Sequence, residues 1–473
     1  MAKIVKNHGR VYTPDFIVKC ILDFGGYISA ESILEHHVID NSCGDGAFLC
    51  EIVKRYCYSY LHNSSDLSVL KTSLETYIHG IELDEDESAK CKMNLSAVAE
   101  CYGVSNVNWD VLTADTLTVT RYDKKMDYVF GNPPYVRVHN LLDSYSSVKK
   151  FAFAGIGMTD LFIVFFEIGF RMLSKRGTMC LITPSSWLSS KAGLVLRQYI
   201  KKCKNLSGII DLEHFQPFDA TTYTLISRFD NQQEHSVVEY NKYSGESMSK
   251  KYVCDLNLKD ISIGQNFYLS DYIGLLELKR IRESVVREYV SVKNGFATLA
   301  DGVFIGSFQF TGAVIDVIKA STGEWKKCIY PYNENGKPIP ESQMSIHTDT
   351  FSYLLEHKSE LSKGRDIQDE NMWYLFGRTQ AINDVSKNKY AINTILKDKG
   401  SIRFEFVPAG KGVYSGLYIV SELSYAELRE EIISDSFISY VKALKNYKSG
   451  GYYTYNSKDL QQYLNHKFTE KYG

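Results

Sequence analysis

Short apolar, β-branched runs alternate with longer amphipathic stretches over roughly the first 230 residues. The short runs predict six strands, at 36–41, 77–83, 126–131, 177–184, 207–212 and 222–229. Periodic apolar positions between several of them predict helices at 46–61, 87–103 and 160–174. Strands and helices in alternation are typical of an α/β domain with a doubly wound, mostly parallel sheet.

The pattern becomes irregular after about residue 240, where Tyr, Asn, Ser and Gly are frequent and the predicted strands and helices are short and mixed. One helix is expected over 426–444. We therefore predict two domains, an α/β domain at 1–240 and an α+β domain at 241–473.

The composition favours an ordinary globular protein. The chain has 473 residues, 44% hydrophobic, which is enough for two or three domains with their own cores. The start, MAKIVKNHGR, has no apolar signal region, and the most apolar segment, 161–170, is short and contains Glu167. We expect a cytoplasmic protein without membrane contact. The net charge of -2 means that any nucleic-acid-binding surface must be local.

The ten cysteines show no CxxC pair and no zinc-ligand spacing with histidine, so no metal site is predicted. Cys43, Cys50 and Cys57 recur every seven residues, which places them on one helix face. Small core residues are the better interpretation of this pattern.

Ligands of doubly wound sheets bind beyond the carboxyl ends of the strands. The first predicted strand runs into DNSCGDGAF, where Gly44 and Gly46 permit a tight turn before a helix with free N–H groups. After the next strand, Glu82 is placed to accept ribose hydroxyls, and Asp115 is a candidate for an adenine amino group. This pattern fits a nicotinamide cofactor and S-adenosylmethionine equally well.

The stretch FGNPPYVR, residues 130–137, favours S-adenosylmethionine. Asn132 and Pro133 each precede a proline, which holds both in extended geometry. The Asn132 side chain and the Pro133 carbonyl can then accept both hydrogens of one exocyclic amino group. This localises the nitrogen lone pair toward a methyl donor. Tyr135 offers a flat face for a ring.

These motifs, in their order, resemble the gamma class, or TaqI-like group, of S-adenosylmethionine-dependent DNA adenine-N6 methyltransferases of restriction-modification systems. The resemblance in the first domain rests on GRVYTP (9–14), the Gly-rich turn, DYVFGNPPYVR (127–137), 171–188 and 215–229. In the second domain it rests on 292–306, 378–382, 412–420 and 450–460, which resemble a DNA target-recognition domain. It implies a Rossmann-like methyltransferase sheet followed by that domain.

The resemblance assigns residues to the cofactor pocket. The expected cofactor-binding residues are Tyr12, Thr13, Pro14, Asp40, Ser42, Gly44, Gly46, Glu82 and Asp115. The first three would help close the pocket, the next four hold the methionine end, and the last two hold ribose and adenine. Asp110 lies close to Asp115, which leaves the adenine contact open.

The resemblance also assigns the catalytic motif, Asn132, Pro133, Pro134 and Tyr135. Asn132 and Pro133 would hold the target amino group, while Tyr135 stacks on the target base. A second stacking aromatic is expected at Phe218, with Phe215 and Tyr223 as alternatives. Lys442, Lys445 and Lys448, interleaved with tyrosines, are predicted phosphate contacts, and a solvated helix end explains them equally well.

The expected partner is double-stranded DNA, because a target base must be flipped out of the duplex before methylation. Cytosine-C5 methylation is disfavoured, since no proline here is followed by cysteine. Cytosine N4, RNA or protein glutamine as substrate, and a non-enzymatic DNA-binding role, remain alternatives. GRVYTP begins at residue 9, so we expect no nuclease ahead of it. A nuclease metal site of the D…ExK type is not expected inside the chain either, because Asp260, Glu277 and Lys279 match that pattern only loosely. We expect a monomer that modifies without cleaving. A separate cognate restriction endonuclease is one candidate partner, and an orphan methyltransferase without such a partner is the alternative.

Overall fold

The computed structural model describes residues 12–28, 33–137, 145–157, 159–218, 222–363 and 372–473. Residues 9–11 of GRVYTP and 219–221 of the 215–229 motif lie outside this range. The chain divides into two compact units, Met1–Leu276 and Glu277–Gly473.

One large mixed sheet organises the first unit. Within the described residues its nine strands are β1 (Val38–Asp40), β2 (Ile78–Glu82), β3 (Asp110–Thr113), β4 (Met126–Gly131), β5 (Leu173–Pro184), β6 (Leu206–Asp211), β7 (Thr224–Asp230), β8 (Val237–Ser244) and β9 (Ser249–Asn257). Their spatial order is β3-β2-β1-β4-β5-β7-β6-β8-β9. The predicted α/β sheet and its six strands are confirmed, and β3, β8 and β9 are additional.

Strands β3, β2, β1, β4 and β5 are mutually parallel, so their carboxyl ends share one edge of the sheet. Asp40 is paired with Gly80 of β2 on one side and Phe130 of β4 on the other. Every residue of β1, β2 and β6 is buried, as expected of central strands covered on both faces. β7 runs antiparallel to both β5 and β6.

The helices of this unit are α1 (Asp15–Phe24), α2 (Ala47–Asn63), α3 (Leu67–Tyr77), α4 (Glu85–Glu100), α5 (Tyr145–Val148), α6 (Leu161–Met172), α7 (Leu194–Cys203) and α8 (Leu258–Ile261). A hairpin of β10 (Ser262–Ile263) and β11 (Asn266–Phe267) follows, and α9 (Tyr272–Glu283) crosses from the first unit into the second.

These helices explain the spacing of three cysteines and the presence of Glu167 in the most apolar segment. Cys57 on α2 and Cys43 just before it are buried in the core, while Cys50 is half-buried, and all ten cysteines are free thiols. Glu167, the one acidic residue in the apolar helix α6, accepts the backbone N–H groups of Ala152 and Phe153 at 3.1 and 2.7 Å. No helix among the described residues is long and apolar enough to cross a membrane.

The second unit is α+β. Its described strands are β12 (Val290–Asn294), β13 (Ile305–Gly306), β14 (Val314–Lys319), β15 (Glu324–Ile329), β16 (Lys389–Ile392), β17 (Ile395–Leu396), β18 (Phe404–Val407), β19 (Gly412–Tyr414), β20 (Leu417–Ser421), β21 (Tyr447–Lys448) and β22 (Tyr452–Thr454). They form sheets in the orders β12-β20-β16-β18, β13-β15-β14-β19 and β17-β22-β21.

The helices of the second unit are α10 (Asp301–Phe304), α11 (Glu341–Met344), α12 (Thr348–Glu356), α13 (Lys358–Leu361), α14 (Tyr425–Ile432), α15 (Asp435–Ala443) and α16 (Ser457–Tyr472). The single helix expected over 426–444 is wrong, because α14 and α15 are separate. Ser434 begins the second of them, where its hydroxyl accepts the N–H of Phe437 at 3.0 Å.

The boundary expected after residue 240 falls inside β8, and the first unit continues through the β8–β9 hairpin to Leu276. These strands stay with the large sheet because β8 pairs in parallel with β6. The functional assignment of the two units remains a prediction.

Candidate active site

The turn after β1 is built on two glycines in left-handed conformation. Gly44 has a φ of 53° and Gly46 a φ of 94°. A side-chain carbon on Gly46 would lie 2.8 Å from the Sγ atom of Cys91, whereas one on Gly44 would meet nothing within 4 Å. Gly46 directly precedes α2, so the free N–H groups of that helix begin here. Gly44 therefore leaves open space beside a helix N-terminus.

Glu82, at the carboxyl end of β2, holds this turn in place. Its Oε2 atom accepts the N–H of Gly44 at 2.9 Å, and its Oε1 atom accepts the N–H of Asp84 at 2.9 Å. The side chain is 9% exposed. Each carboxylate oxygen has a second lone pair, so Glu82 retains acceptor capacity for ribose hydroxyls. The link to Gly44 is a role that the sequence did not reveal.

Asp40 is a buried carboxyl group at the end of β1, only 1% exposed. Its Oδ1 atom accepts the N–H of Ser42 at 3.0 Å, and a side-chain carbon on Gly131 would lie 2.8 Å from the same oxygen. Burial, reinforced by the nearby charge of Glu82, raises the pKa of Asp40 to about 7 despite the opposing bond from Ser42. A cation bound beside Asp40 would favour the ionised form of its carboxyl group. This suits the positively charged methionine end of S-adenosylmethionine.

The raised pKa of Asp40 predicts a pH-dependent stability. The folded pKa of about 7 exceeds the ordinary value of 3.8, so the folded state binds the proton more tightly, and the free energy of unfolding falls as pH rises between these values. In urea titrations at pH 5 and pH 8 without cofactor, Asp40→Asn should remove about 1 to 4 kcal/mol of this fall. Equal pH slopes for wild type and variant would contradict the assignment.

Asp115 and Asp110 lie at different ends of β3. Asp115 follows the carboxyl end, and its Oδ1 atom accepts the N–H of Leu117 at 3.0 Å. Asp110 begins the strand and is engaged by His79 at 2.6 Å and by Tyr122 at 3.0 Å. Asp110 therefore belongs to a polar cluster at the amino ends of the strands. Asp115 is the acidic residue on the side of Glu82.

The motif Asn132, Pro133, Pro134 and Tyr135 directly follows β4. The Asn132 amide nitrogen donates to the Thr13 hydroxyl at 3.1 Å, and the Asn132 backbone carbonyl accepts the Ser42 hydroxyl at 3.5 Å. The catalytic motif thus contacts both the amino-terminal segment and the Gly-rich turn. The structure places these three predicted segments together, although they are far apart along the chain.

The structure distinguishes the three candidates for the second aromatic. The rings of Tyr135 and Phe218 have centroids 6.3 Å apart and planes at 76°. Phe215 packs instead on Tyr243, with ring centroids 4.9 Å apart, and Tyr223 lies near His214, with ring centroids 6.0 Å apart. Phe218 is therefore the predicted aromatic that lies beside Tyr135.

The amino-terminal segment lines a cavity of about 320 Å³ near the Gly-rich turn. Tyr12 is exposed, with its hydroxyl 3.4 Å from Glu87, whereas Thr13 is buried. Pro14 directly precedes α1, and its carbonyl accepts the N–H of Ile17 at 2.9 Å. Cys50 also lies on the cavity wall. The remaining wall residues, which the sequence did not indicate as site residues, are Asp15, Val18, Asp45, Ala47, Glu51, Lys54 and Asn94.

The three predicted phosphate-contacting lysines lie in the second unit, around the end of α15. Lys442 and Lys448 are exposed, and the ammonium group of Lys445 lies 5.8 Å from the ring centre of Tyr447. Their assignment remains a prediction. No cluster of three or more metal-ligating side chains occurs in the described parts of the chain.

Comparison with known proteins identifies the family. The model of the Eco57I restriction-modification methylases matches residues 48–218, which include Glu82, Asp115 and the Asn132 motif and end at Phe218. The type II methyltransferase M.BstVI of Geobacillus stearothermophilus is 32% identical over 425 residues, covering 78% of this chain and 74% of the relative. This chain belongs to the type II methyltransferases of restriction-modification systems. M.XhoI of Xanthomonas vasicola is 23% identical to this methyltransferase over 409 residues, covering 77% and 73% of the two chains.

The fold of the methyltransferase agrees with this membership. The structure of the type IIL restriction-modification enzyme MmeI in complex with DNA superposes with a TM-score of 0.64 at 11% identity, covering 93% of this chain and 63% of MmeI. The methyltransferase acts on DNA and uses S-adenosylmethionine as its cofactor. The recognition of a restriction-modification DNA methyltransferase from sequence motifs is thereby confirmed.

Proposed function

We propose that this methyltransferase transfers a methyl group from S-adenosylmethionine to the N6 amino group of a flipped-out adenine at a specific site in double-stranded DNA. The observation that carries the proposal is the position of Asn132, Pro133 and Tyr135 after β4, with Phe218 beside Tyr135. This arrangement offers two carbonyl acceptors next to two aromatic rings. It is suited to a planar base that carries an exocyclic amino group.

Asn132 and Pro133 act by holding the amino group that is methylated. S-adenosylmethionine, when bound, supplies the electrophilic methyl group, and Glu82, Asp40 and the Gly44 turn are the groups that would hold it. The Asn132 amide oxygen and the Pro133 carbonyl accept the two hydrogens of the amino group, so its lone pair is less delocalised into the ring and is directed at the methyl carbon. The Pro133 carbonyl is held by its backbone, since Asn132 and Pro133 each precede a proline, and the Asn132 side chain is held by its hydrogen bond to Thr13.

Adenine N6 and cytosine N4 present the same kind of amino group, and the substrate experiment must separate them. DNA from a host that expresses the wild-type chain is digested to nucleosides and analysed by mass spectrometry, and its modified positions are mapped by sequencing. The proposal predicts N6-methyladenine at one recurrent sequence. N4-methylcytosine alone, or no modified base, would overturn it.

We further propose that the second unit is the target-recognition domain, that Lys442, Lys445 and Lys448 contact DNA phosphates, and that the enzyme works as a monomer beside a separate cognate endonuclease. The lysines and tyrosines around the end of α15 support the phosphate contacts, since backbone contacts to DNA commonly come from lysine, tyrosine and backbone N–H groups.

Base flipping makes Phe218→Ala informative. Phe218 should stack on the extruded base opposite Tyr135, which contributes on the order of 1 to 3 kcal/mol. With 2-aminopurine at the target position, wild type should give a large fluorescence rise. Phe218→Ala should alter that signal, weaken DNA binding and slow methylation without changing S-adenosylmethionine affinity.

Phe215→Ala is the matched control, because Phe215 packs on Tyr243 and Phe16 rather than on Tyr135. Phe218 is 7% exposed, so thermal unfolding and cofactor binding must show that its variant is folded. If Phe215→Ala or Tyr223→Ala perturbs the fluorescence while Phe218→Ala does not, base flipping stands and the second aromatic is misassigned. If no aromatic variant has an effect, the second stacking residue does not exist.

A further inference from the structure

Thr13 directly contacts the catalytic motif. Its hydroxyl lies 3.1 Å from the Asn132 amide nitrogen, across 119 positions of sequence. Thr13 is buried, with 8% of the residue exposed, so water competes little for this hydrogen bond. The geometry therefore suggests a role beyond closing the cofactor pocket.

The position of Thr13 is rigid for reasons visible in the chain. Thr13 precedes Pro14, which restricts it to extended backbone geometry. Pro14 directly precedes α1, whose Ile17 and Ile21 side chains are completely buried in the core of the sheet domain. The hydroxyl is thus held against Asn132 by an anchored helix.

The chemistry of an asparagine amide makes this contact consequential. The amide has a donor end and an acceptor end of nearly the same shape, and only the acceptor end can bind a target amino group. A half-turn of the amide would present two N–H donors to the N–H donors of the target. The Thr13 hydroxyl, which can donate as well as accept, here accepts from the amide nitrogen, so it holds the amide by its donor end and leaves the oxygen end as the acceptor for the target.

We propose that Thr13 is a positioning residue for methyl transfer, which fixes the Asn132 amide with its oxygen toward the target amino group. This inference rests on the proposed function of Asn132. It predicts that Thr13 influences turnover through Asn132 and not through cofactor affinity.

The test compares Thr13→Val, which keeps the shape and removes the hydroxyl, with Thr13→Ser, which keeps the hydroxyl. Thr13→Val should lower kcat roughly ten- to hundredfold, with S-adenosylmethionine affinity changed less than about threefold. Thr13→Ser should recover most of the lost turnover. Thr76→Val is the matched control, because the Thr76 hydroxyl bonds the Thr72 carbonyl at 2.7 Å on the exposed surface of α3.

A double-mutant cycle separates this inference from the proposed function. In an Asn132→Ala background, Thr13→Val should have little further effect on the residual rate, since both changes act on one amide. Unchanged or increased kcat in Thr13→Val, or an equal loss in both backgrounds, would overturn the positioning role. A loss explained wholly by weaker cofactor binding would overturn it too. Near-normal turnover of Asn132→Ala itself would instead overturn the proposed function.

Discussion

Replacing Asn132 with alanine should reduce methyl transfer by at least about a hundredfold, while S-adenosylmethionine still binds. The variant loses one of two acceptors for the target amino group, and this interaction strengthens as the nitrogen attacks. Asn132 follows β4 and contacts the protein through Thr13 and Ser42, so its truncation leaves the Gly44–Glu82 connection intact.

Calorimetry with S-adenosylmethionine and a tritium-transfer assay on the same preparation would measure both quantities. Asn63→Ala is a suitable control, because Asn63 ends α2 and its amide bonds the Ser59 carbonyl at 3.1 Å. Near-normal turnover in Asn132→Ala would remove the basis for an amino-methyltransferase mechanism.

The strands that the sequence predicts most clearly are those whose residues are buried along the whole strand. β2 and β6 are buried at every position, so they stand out as continuous apolar runs. β3 was not predicted, because it lies at the edge of the sheet and only Val111 among its residues is buried. β9, the opposite edge strand, is mostly exposed and polar. Edge strands carry too weak a hydrophobic signal to be separated from loops.

The candidate site could also be predicted only in part from the sequence. The positions of Gly44, Glu82 and Asn132 after successive strands followed from the sequence, since parallel strands bring their carboxyl ends to one edge. The contacts among them did not follow. Whether Phe218 or Phe215 lies beside Tyr135 depends on loop geometry after β6 that residue types leave open. The Thr13 bond to Asn132 likewise depends on how α1 packs onto the sheet.

Glu82→Ala should weaken S-adenosylmethionine binding by at least about 2 kcal/mol, roughly thirtyfold. The carboxylate is predicted to accept ribose hydroxyls, and it already accepts the N–H groups of Gly44 and Asp84. Its removal therefore affects the cofactor directly and also releases the Gly-rich turn. Glu85→Ala is the matched control, since Glu85 is an exposed carboxylate on the first turn of α4.

Two measurements separate the direct contact from the loss of order in the turn. Calorimetry gives the affinity, and hydrogen exchange of residues 40–48 without cofactor reports whether the turn has loosened. Glu82→Gln retains one carbonyl acceptor but turns an amide NH₂ toward one of the two backbone donors, so its affinity should fall between wild type and Glu82→Ala. Faster exchange in both variants with unchanged affinity would mean that Glu82 only orders the turn. NAD should bind neither wild type nor variant, because the chain belongs to a family of methyltransferases whose cofactor is S-adenosylmethionine. Measurable NAD affinity in the wild-type protein would contradict the assignment of these residues to an S-adenosylmethionine site.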